Sequence, residues 1–129
     1  MKPIISPLFV RLTKTDKGKK YHLNLNQYRN WYYTTNNNIK KKYKELITDQ
    51  IKDLKFEGKI SLTYTLFRGT KRKGDKMNVL CIHDKFFCDA LVELGCIEDD
   101  NDEYIVEHVF KLGGYDKNNG RVEIIIEEV

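Results

Sequence analysis

The middle of the chain places a two-residue periodicity directly before a helical one, and this order constrains the fold most. In residues 59–69, KISLTYTLFRG, apolar and polar residues alternate, which is typical of a strand with one buried face. In residues 77–95 the apolar residues recur at helical spacing, and Gly95 stands where glycine commonly ends a helix. Further strands are predicted in residues 7–14, 104–113 and 121–129, and helix is predicted over most of residues 24–54.

These elements predict one α+β domain over residues 1–129, with two main helices packed on a mixed or antiparallel sheet. A chain of 129 residues has the size of a single hydrophobic core. The run TTNNN, residues 34–38, is expected to cap the first long helix, and TDKGKK, residues 15–20, is a predicted loop. No apolar run approaches the roughly 20 residues of a transmembrane helix and no signal peptide is recognised, so a cytoplasmic location is expected.

The three cysteines, Cys81, Cys88 and Cys96, are an odd number within a short stretch and are expected to be reduced. A zinc site that combines them with His83 and His108 is not predicted, because the paired CxxC spacing of structural zinc sites is absent.

Charge is unevenly distributed along the chain. Residues 1–76 contain 19 Lys and Arg against 6 Asp and Glu, a balance of +13, whereas residues 77–129 contain 4 against 13, a balance of −9. Such polarity is expected of a protein that binds an anionic partner with one half and cations with the other. A lysine-rich surface followed by an acidic tail is the alternative interpretation.

Carboxylates on both sides of the second helix form a candidate catalytic metal site. Asp75 precedes the helix, and Asp99 and Asp100 follow it in a run that is acidic at five of six positions from Glu98 to Glu103. One face of the helix carries Asn78, Lys85 and Asp89. Carboxylate oxygens select Mg²⁺ or Mn²⁺, which activates water, while a lysine stabilises developing negative charge. Sequence spacing does not establish that the two ends of the helix meet, and a solvated acidic turn is the alternative.

Two basic patches are candidate sites for nucleic-acid phosphates. The first lies just before the second helix and contains Lys71, Arg72, Lys73 and Lys76. The second combines Arg29 with Lys40, Lys41, Lys42 and Lys44, and it is interleaved with Tyr28, Trp31, Tyr32 and Tyr33. For the aromatic residues, packing in the core at the start of a helix is the alternative to a role in binding.

Residues 71–104, KRKGDKMNVLCIHDKFFCDALVELGCIEDDNDEY, resemble the core motif of the RusA family of Holliday-junction resolvases, especially its phage and prophage members. In that family a basic stretch leads into D-x-D-N, then into a helix with a catalytic lysine and a D-A-L segment, and then into a turn with two aspartates. The matching residues are Asp75, Asn78, Lys85, Asp89-Ala90-Leu91, Gly95, Ile97 and Asp99-Asp100. Upstream, Asn26, Tyr28 and Arg29 match an N-x-Y/W-R segment, and residues 113–128 resemble the closing strand.

The resemblance implies a RusA-like fold and a homodimeric, Mg²⁺-dependent endodeoxyribonuclease. Such an enzyme resolves four-way DNA junctions by paired symmetrical nicks during recombination, repair or phage DNA processing, within a bacterial cell. It also implies that Asp75 and Asp100 are metal ligands, that Asp99 lies beside them, and that Lys85 assists the reaction.

One departure from the motif affects the implied metal site. The second aspartate of D-x-D-N is replaced by Met77, and a thioether is a poor ligand for Mg²⁺. Asn78 or Asp89 is expected to supply the missing oxygen. The alternative function is a non-catalytic, structure-selective DNA-binding module with a degenerate metal site.

Overall fold

The computed structural model describes residues 2–13 and 18–129. The strands are β1 Ile4–Pro7, β2 Phe9–Val10, β3 Tyr21–His22, β4 Ile60–Arg68, β5 Ile105–Tyr115 and β6 Arg121–Glu128. The helices are α1 Leu25–Tyr28, α2 Tyr33–Ile51 and α3 Lys76–Glu93. None of the helices in these ranges is long and apolar enough to span a membrane.

The main sheet has the strand order β1-β6-β4-β5, and β2 and β3 form a separate two-stranded sheet. In the main sheet β4 pairs with β6 in antiparallel and with β5 in parallel orientation, and β1 pairs antiparallel to β6. Because β4 and β5 are parallel, α3 forms the crossover between them and the carboxyl ends of both strands lie at one edge. This single α+β domain, with a mixed sheet and two main helices, confirms the predicted fold class.

The alternation in β4 produces one fully buried face. Ile60, Leu62, Tyr64 and Leu66 are at most 1% exposed, while the residues between them are half-buried. On the neighbouring strand β6, Val122, Ile124 and Ile126 are buried in the same way. The helices contribute the opposite side of the core, with Ile39, Tyr43, Ile47 and Ile51 from α2 and Leu80, Phe86, Phe87, Ala90 and Leu91 from α3.

The end of α3 follows the sequence prediction. Gly95 has φ +76°, a left-handed conformation that costs a side-chain-bearing residue free energy. The turn lets the Cys96 N–H donate a 2.8 Å hydrogen bond to the Leu91 carbonyl. The chain therefore leaves α3 at the position that the sequence indicates.

The N-terminal half departs from the prediction. The TTNNN run lies inside α2 instead of capping it, and the N-cap residue is Tyr32, which makes no side-chain capping bond. A separate short helix, α1, begins at Asn24, whose side-chain oxygen accepts the Gln27 N–H at 2.8 Å. Between the two helices the Trp31 ring packs edge-on against Tyr21 and Tyr28, and this tertiary packing separates them.

The first strand also begins earlier than predicted, at Ile4, and β2 ends at Val10. Residue 14 of that predicted strand and residues 15–17 of the predicted loop lie outside the described residues.

Candidate functional site

A basic loop, residues 69–75, follows β4 and is held against the turn between β5 and β6. The Arg68 carbonyl accepts the Asp116 N–H at 2.8 Å, and the Gly69 carbonyl accepts the Asn118 N–H at 3.3 Å. Gly69 approaches Gly120 so closely that a Cβ on it would lie 3.0 Å from the Gly120 nitrogen. The Arg68 guanidinium donates back to the Gly74 carbonyl at 3.0 Å. The backbone of the loop is therefore anchored at both ends.

A groove of about 500 Å³ lies between this loop, the β2–β3 sheet and the start of α3. Its polar lining includes Lys20, His22, Asn24, Arg68, Thr70 and Arg72. This surface is called the basic groove below. Three of these six side chains are permanently cationic, so the groove suits an anionic ligand such as a phosphate.

His22 is the titratable side chain of the basic groove. Partial burial lowers its pKa below 6.5, and the positive charges of Lys20 and Arg72 lower that pKa further. Its ring lies 5.6 Å from the Phe9 ring, and its backbone N–H donates to Gln27 Oε1 at 2.8 Å. Burial and the two neighbouring cations thus both favour the neutral form of the His22 imidazole.

The sequence contains little that singles out His22 or Lys20. The two residues are two positions apart, so they share a face of a strand, but the strand β3 has only two residues. Their proximity to Arg72 depends on the tertiary fold, since the loop that carries Arg72 follows β4.

On the other side of the basic loop lies a second groove, of about 490 Å³. Lys71 is positioned over the Tyr115 ring, with its Nζ 5.6 Å from the ring centroid. Leu112 and Tyr115 are 59% and 46% exposed. This surface, called the aromatic groove below, combines positive charge with an exposed ring.

The predicted metal ligands lie at two ends of one helix. Asp75 is the N-cap of α3, and its Oδ1 accepts the Met77 N–H at 2.9 Å. Asp99 and Asp100 come after the end of α3, which has 18 residues and is therefore about 27 Å long. Burial, followed by the hydrogen bond and charge of Asp99 and the charge of Asp89, raises the pKa of Asp100. Asp75 and Asp100 therefore lie towards opposite ends of α3. The Mg²⁺ site stays a prediction.

The remaining predicted catalytic and metal residues lie along α3. Asn78 is half-buried near its start, and Lys85 is exposed. Asp89 forms a 3.0 Å ion pair with Lys40 of α2. Asp99 has local partners, since its two oxygens accept the Asp100 N–H at 2.7 Å and the Asn101 amide at 3.1 Å.

The residues predicted to bind DNA divide into an exposed group and a packed group. Lys71, Arg72 and Lys73 are exposed on the basic loop, and Lys76 begins α3. Asn26, Arg29 and Lys41 are also exposed. Lys40 instead links α2 to α3 through Asp89, and the Tyr28 ring packs against Trp31 and Phe86. For Tyr28 and Trp31, packing against the core is the interpretation that the structure supports.

A separate cluster joins α3 to the sheet. Asp84 Oδ1 accepts the Tyr64 O–H at 2.7 Å and lies 2.8 Å from His108 Nδ1. The Cys88 S–H also donates to it, at 3.3 Å. Burial, the charge of Asp84 and its hydrogen bond raise the pKa of the Cys88 thiol well above its ordinary value. Within the described ranges, Asp84, Cys88 and His108 form the only group of three His, Cys, Asp or Glu side chains whose ligand atoms lie within 4.8 Å of one another.

Comparison with known families identifies the chain. A family model described as CRISPR associated protein Cas6, C-terminal, matches residues 2–96, which is well over half of the sequence. The chain belongs to this family. The Cas6 match includes the basic loop and the basic groove residues Lys20, His22 and Arg72. A search of curated proteins found no significant match.

Membership of the Cas6 family overturns the predicted RusA-family identity and its Holliday-junction function. The Cas6 family binds CRISPR repeat RNA, so the predicted branched-DNA partner and roles in recombination and repair are wrong. The alternative of a non-catalytic DNA-binding module has no support either. The expected homodimer was implied only by the RusA resemblance, so it is no longer supported. The coarser prediction, an enzyme that cuts nucleic acid, agrees with a family of endoribonucleases.

The resemblance to the RusA motif has a structural explanation. Asp75 caps α3, Ala90 and Leu91 are buried in the core, and Gly95 ends the helix. Each of these residues meets a requirement of a capped helix that packs on a sheet. Much of the motif therefore consists of residues that a helix of this kind needs in order to fold, so it does not by itself indicate the RusA family.

Proposed function

We propose that this chain binds a CRISPR repeat RNA across the basic loop and cleaves one of its phosphodiester bonds in the basic groove. The observation that carries the proposal is the lining of the basic groove, in which His22 lies with the cations Lys20, Arg68 and Arg72. A neutral imidazole beside two cations combines a proton acceptor with charges that attract a phosphate.

RNA provides its own nucleophile for this reaction. The 2′-hydroxyl attacks the adjacent phosphorus, so that an O2′–P bond forms and the P–O5′ bond breaks. His22 accepts the 2′-hydroxyl proton, and the leaving 5′-oxygen takes a proton from water, whose hydroxide neutralises the imidazolium. The products are a 2′,3′-cyclic phosphate and a 5′-hydroxyl. DNA lacks the 2′-hydroxyl, so the mechanism is specific for RNA.

The cations of the basic groove have a role in the transition state. Negative charge accumulates on the phosphorane oxygens, and fixed positive groups stabilise that charge more than they stabilise the ground state. Lys20 and Arg72 line the same groove as His22, so they would lie near a phosphate that reacts there. Arg68 is held in place by its bond to Gly74, and it completes the cationic lining.

The two surfaces beside the basic groove suit the rest of the RNA. Exposed lysines on the loop, Lys71 and Lys73, attract phosphates without reading sequence. The exposed Tyr115 ring offers a face on which an unpaired base stacks. A single-stranded segment would therefore pass from the aromatic groove, over the loop, into the basic groove.

The test is cleavage of end-labelled repeat RNA by wild type and by His22→Ala. We expect a loss of about 10²–10⁴-fold in cleavage rate for the variant, the usual contribution of a general base, and partial rescue by added imidazole. Lys20→Ala is expected to slow cleavage, whereas Lys111→Ala, on the exposed part of β5, is the matched charge control.

Two further experiments distinguish this mechanism from attack by metal-activated water, which is the chemistry predicted from the acidic residues. A 2′-deoxy substitution at the cleaved nucleotide is expected to abolish cleavage, and EDTA is expected to leave the rate unchanged. Cleavage that requires Mg²⁺ and proceeds equally on the 2′-deoxy substrate would overturn the proposed role of His22.

A further inference from the structure

The cluster of Asp84, Cys88 and His108 brings three different metal-binding groups together. Asp84 and Cys88 are one turn apart on α3, and His108 reaches them from β5. The Asp84 Oδ1 lies 2.8 Å from His108 Nδ1 and 3.3 Å from Cys88 Sγ. Across the part of the chain that the structure describes, no other such trio has its ligand atoms within 4.8 Å.

We propose that Asp84, Cys88 and His108 form a binding site for a divalent transition-metal ion, and that Zn²⁺ fits it best. Zinc is bound by Cys sulfur, His nitrogen and carboxylate oxygen, at about 2.3 Å for sulfur and 2.0–2.2 Å for the other two. Mg²⁺ strongly prefers oxygen ligands, so a thiolate and an imidazole in the same site select against it.

Two of the three separations between the ligand atoms are close to what zinc needs, and the third, between Cys88 and His108, is within 4.8 Å. Tetrahedral bonds of these lengths place neighbouring ligand atoms about 3.3–3.6 Å apart. The Cys88–Asp84 separation of 3.3 Å already lies in this range, and the His108–Asp84 separation of 2.8 Å must open by about 0.5 Å. Rotation of the partly exposed His108 side chain supplies that movement. Three protein ligands leave the fourth position for water.

The surroundings of the cluster allow an ion to enter and to be held. The Asp84 and His108 side chains are 23% and 31% exposed, so the ion approaches from solvent, while Cys88 forms the inner wall at 5% exposure. The Tyr64 hydroxyl donates to Asp84 and orients the carboxylate, as the outer partners of metal ligands do. On binding, the Cys88 thiol gives its proton to solvent and the thiolate bonds to the ion.

The site is separate from the proposed cleavage reaction. None of the three residues lines the basic groove or the aromatic groove. A bound ion would join the middle of α3 to β5 and so stabilise the crossover that supports the fold. Its presence is therefore measured by metal binding and thermal unfolding, whatever the outcome of the cleavage experiment.

The experiment is a titration of the reduced, metal-free full chain with Co²⁺, which replaces Zn²⁺ and absorbs light. We expect one ion per chain, a thiolate-to-cobalt charge-transfer band, and the d–d bands of tetrahedral coordination. Added Zn²⁺ should abolish these bands and raise the midpoint of thermal unfolding. Cys88→Ser should remove the charge-transfer band, and His108→Asn and Asp84→Asn should weaken binding at least tenfold.

The matched control is Cys81→Ser, a second thiol on α3 that is not part of the cluster, and it should keep the band. Circular dichroism of each metal-free variant shows whether it folds. If Cys88→Ser does not fold, the result is decided by His108→Asn, which replaces an exposed residue. No binding at tenfold excess of Co²⁺, or a charge-transfer band that survives Cys88→Ser, would show that Asp84 is only a hydrogen-bond acceptor here.

Discussion

His83 is a buried histidine whose protonation opposes folding. It is fully buried, its Nδ1 lies 2.7 Å from Ser6 Oγ, which lies 2.7 Å from the Tyr43 hydroxyl, and its Nε2 has no partner among the described residues. Burial lowers its pKa to about 3. The unfolded chain binds this proton below about pH 6.5, whereas the folded chain binds it only below about pH 3. Stability is therefore lost as pH falls from 6.5 towards 3, by about 1.4 kcal/mol per pH unit.

We predict that the free energy of unfolding of the wild type falls by about 1.5 kcal/mol between pH 6.5 and pH 5 because of His83. Urea unfolding at the two pH values measures the change. His83→Leu removes the titration, so its stability should change less over the same range, and the difference between the two proteins cancels the other titrating groups. The pKa of His22 is also lowered, so the comparison is repeated in a His22→Ala background. Parallel pH profiles for wild type and His83→Leu would contradict the prediction.

The residues of the candidate sites differ in how far sequence predicts them. The exposure of Lys71, Arg72 and Lys73 follows from a short loop rich in charge, and it is predicted. The partnership of His22 with Arg72 joins β3 to the loop after β4, and no spacing rule connects them. The pairing of Cys88 with His108 likewise requires α3 to cross from β4 to β5. Contacts between elements are therefore the part that local pattern misses.

The helix α3 ends at a position that only glycine occupies without strain. Gly95 has φ +76°, and apart from its neighbours in the chain no atom lies within 4 Å of the place where its Cβ would be. We predict that Gly95→Ala lowers the free energy of unfolding by about 1 kcal/mol through backbone strain alone. Gly58→Ala is the control, because Gly58 also has open space around it but lies outside the left-handed region. Chemical denaturation should show Gly58→Ala as neutral or slightly stabilised, and equal losses would show that strain is not the cause.

At the scale of elements, local and tertiary causes can be told apart. The alternation in β4 and the glycine after α3 are local signals, and both elements are confirmed within a residue or two. The start of α2 is different, since the polar run TTNNN offers caps that the helix does not use. Trp31 lies between α1 and α2, ahead of the TTNNN run, and packs on Tyr21 and Tyr28. A single sequence does not reveal that contact.

The uneven charge of the whole molecule is part of how the proposed RNA would be bound. The basic loop, the basic groove and the lysines of α2 belong to the half with a balance of +13. Part of that charge is neutralised by acidic residues of the other half, through Lys40–Asp89 and Lys44–Glu93. The lysines of the basic loop are exposed at the carboxyl edge of β4, so phosphate contacts should concentrate at that edge.

This distribution predicts which lysines control the salt dependence of RNA binding. Each phosphate contact to a single strand contributes about 0.7 to the slope of log affinity against log salt concentration. We predict that Lys71→Ala/Lys73→Ala lowers the slope by about 1.4, measured by fluorescence anisotropy of repeat RNA at several salt concentrations. Lys55→Ala/Lys59→Ala removes the same charge at the opposite end of β4 and should leave the slope nearly unchanged. Equal reductions in the two double variants would mean that net charge, and not the basic loop, determines binding.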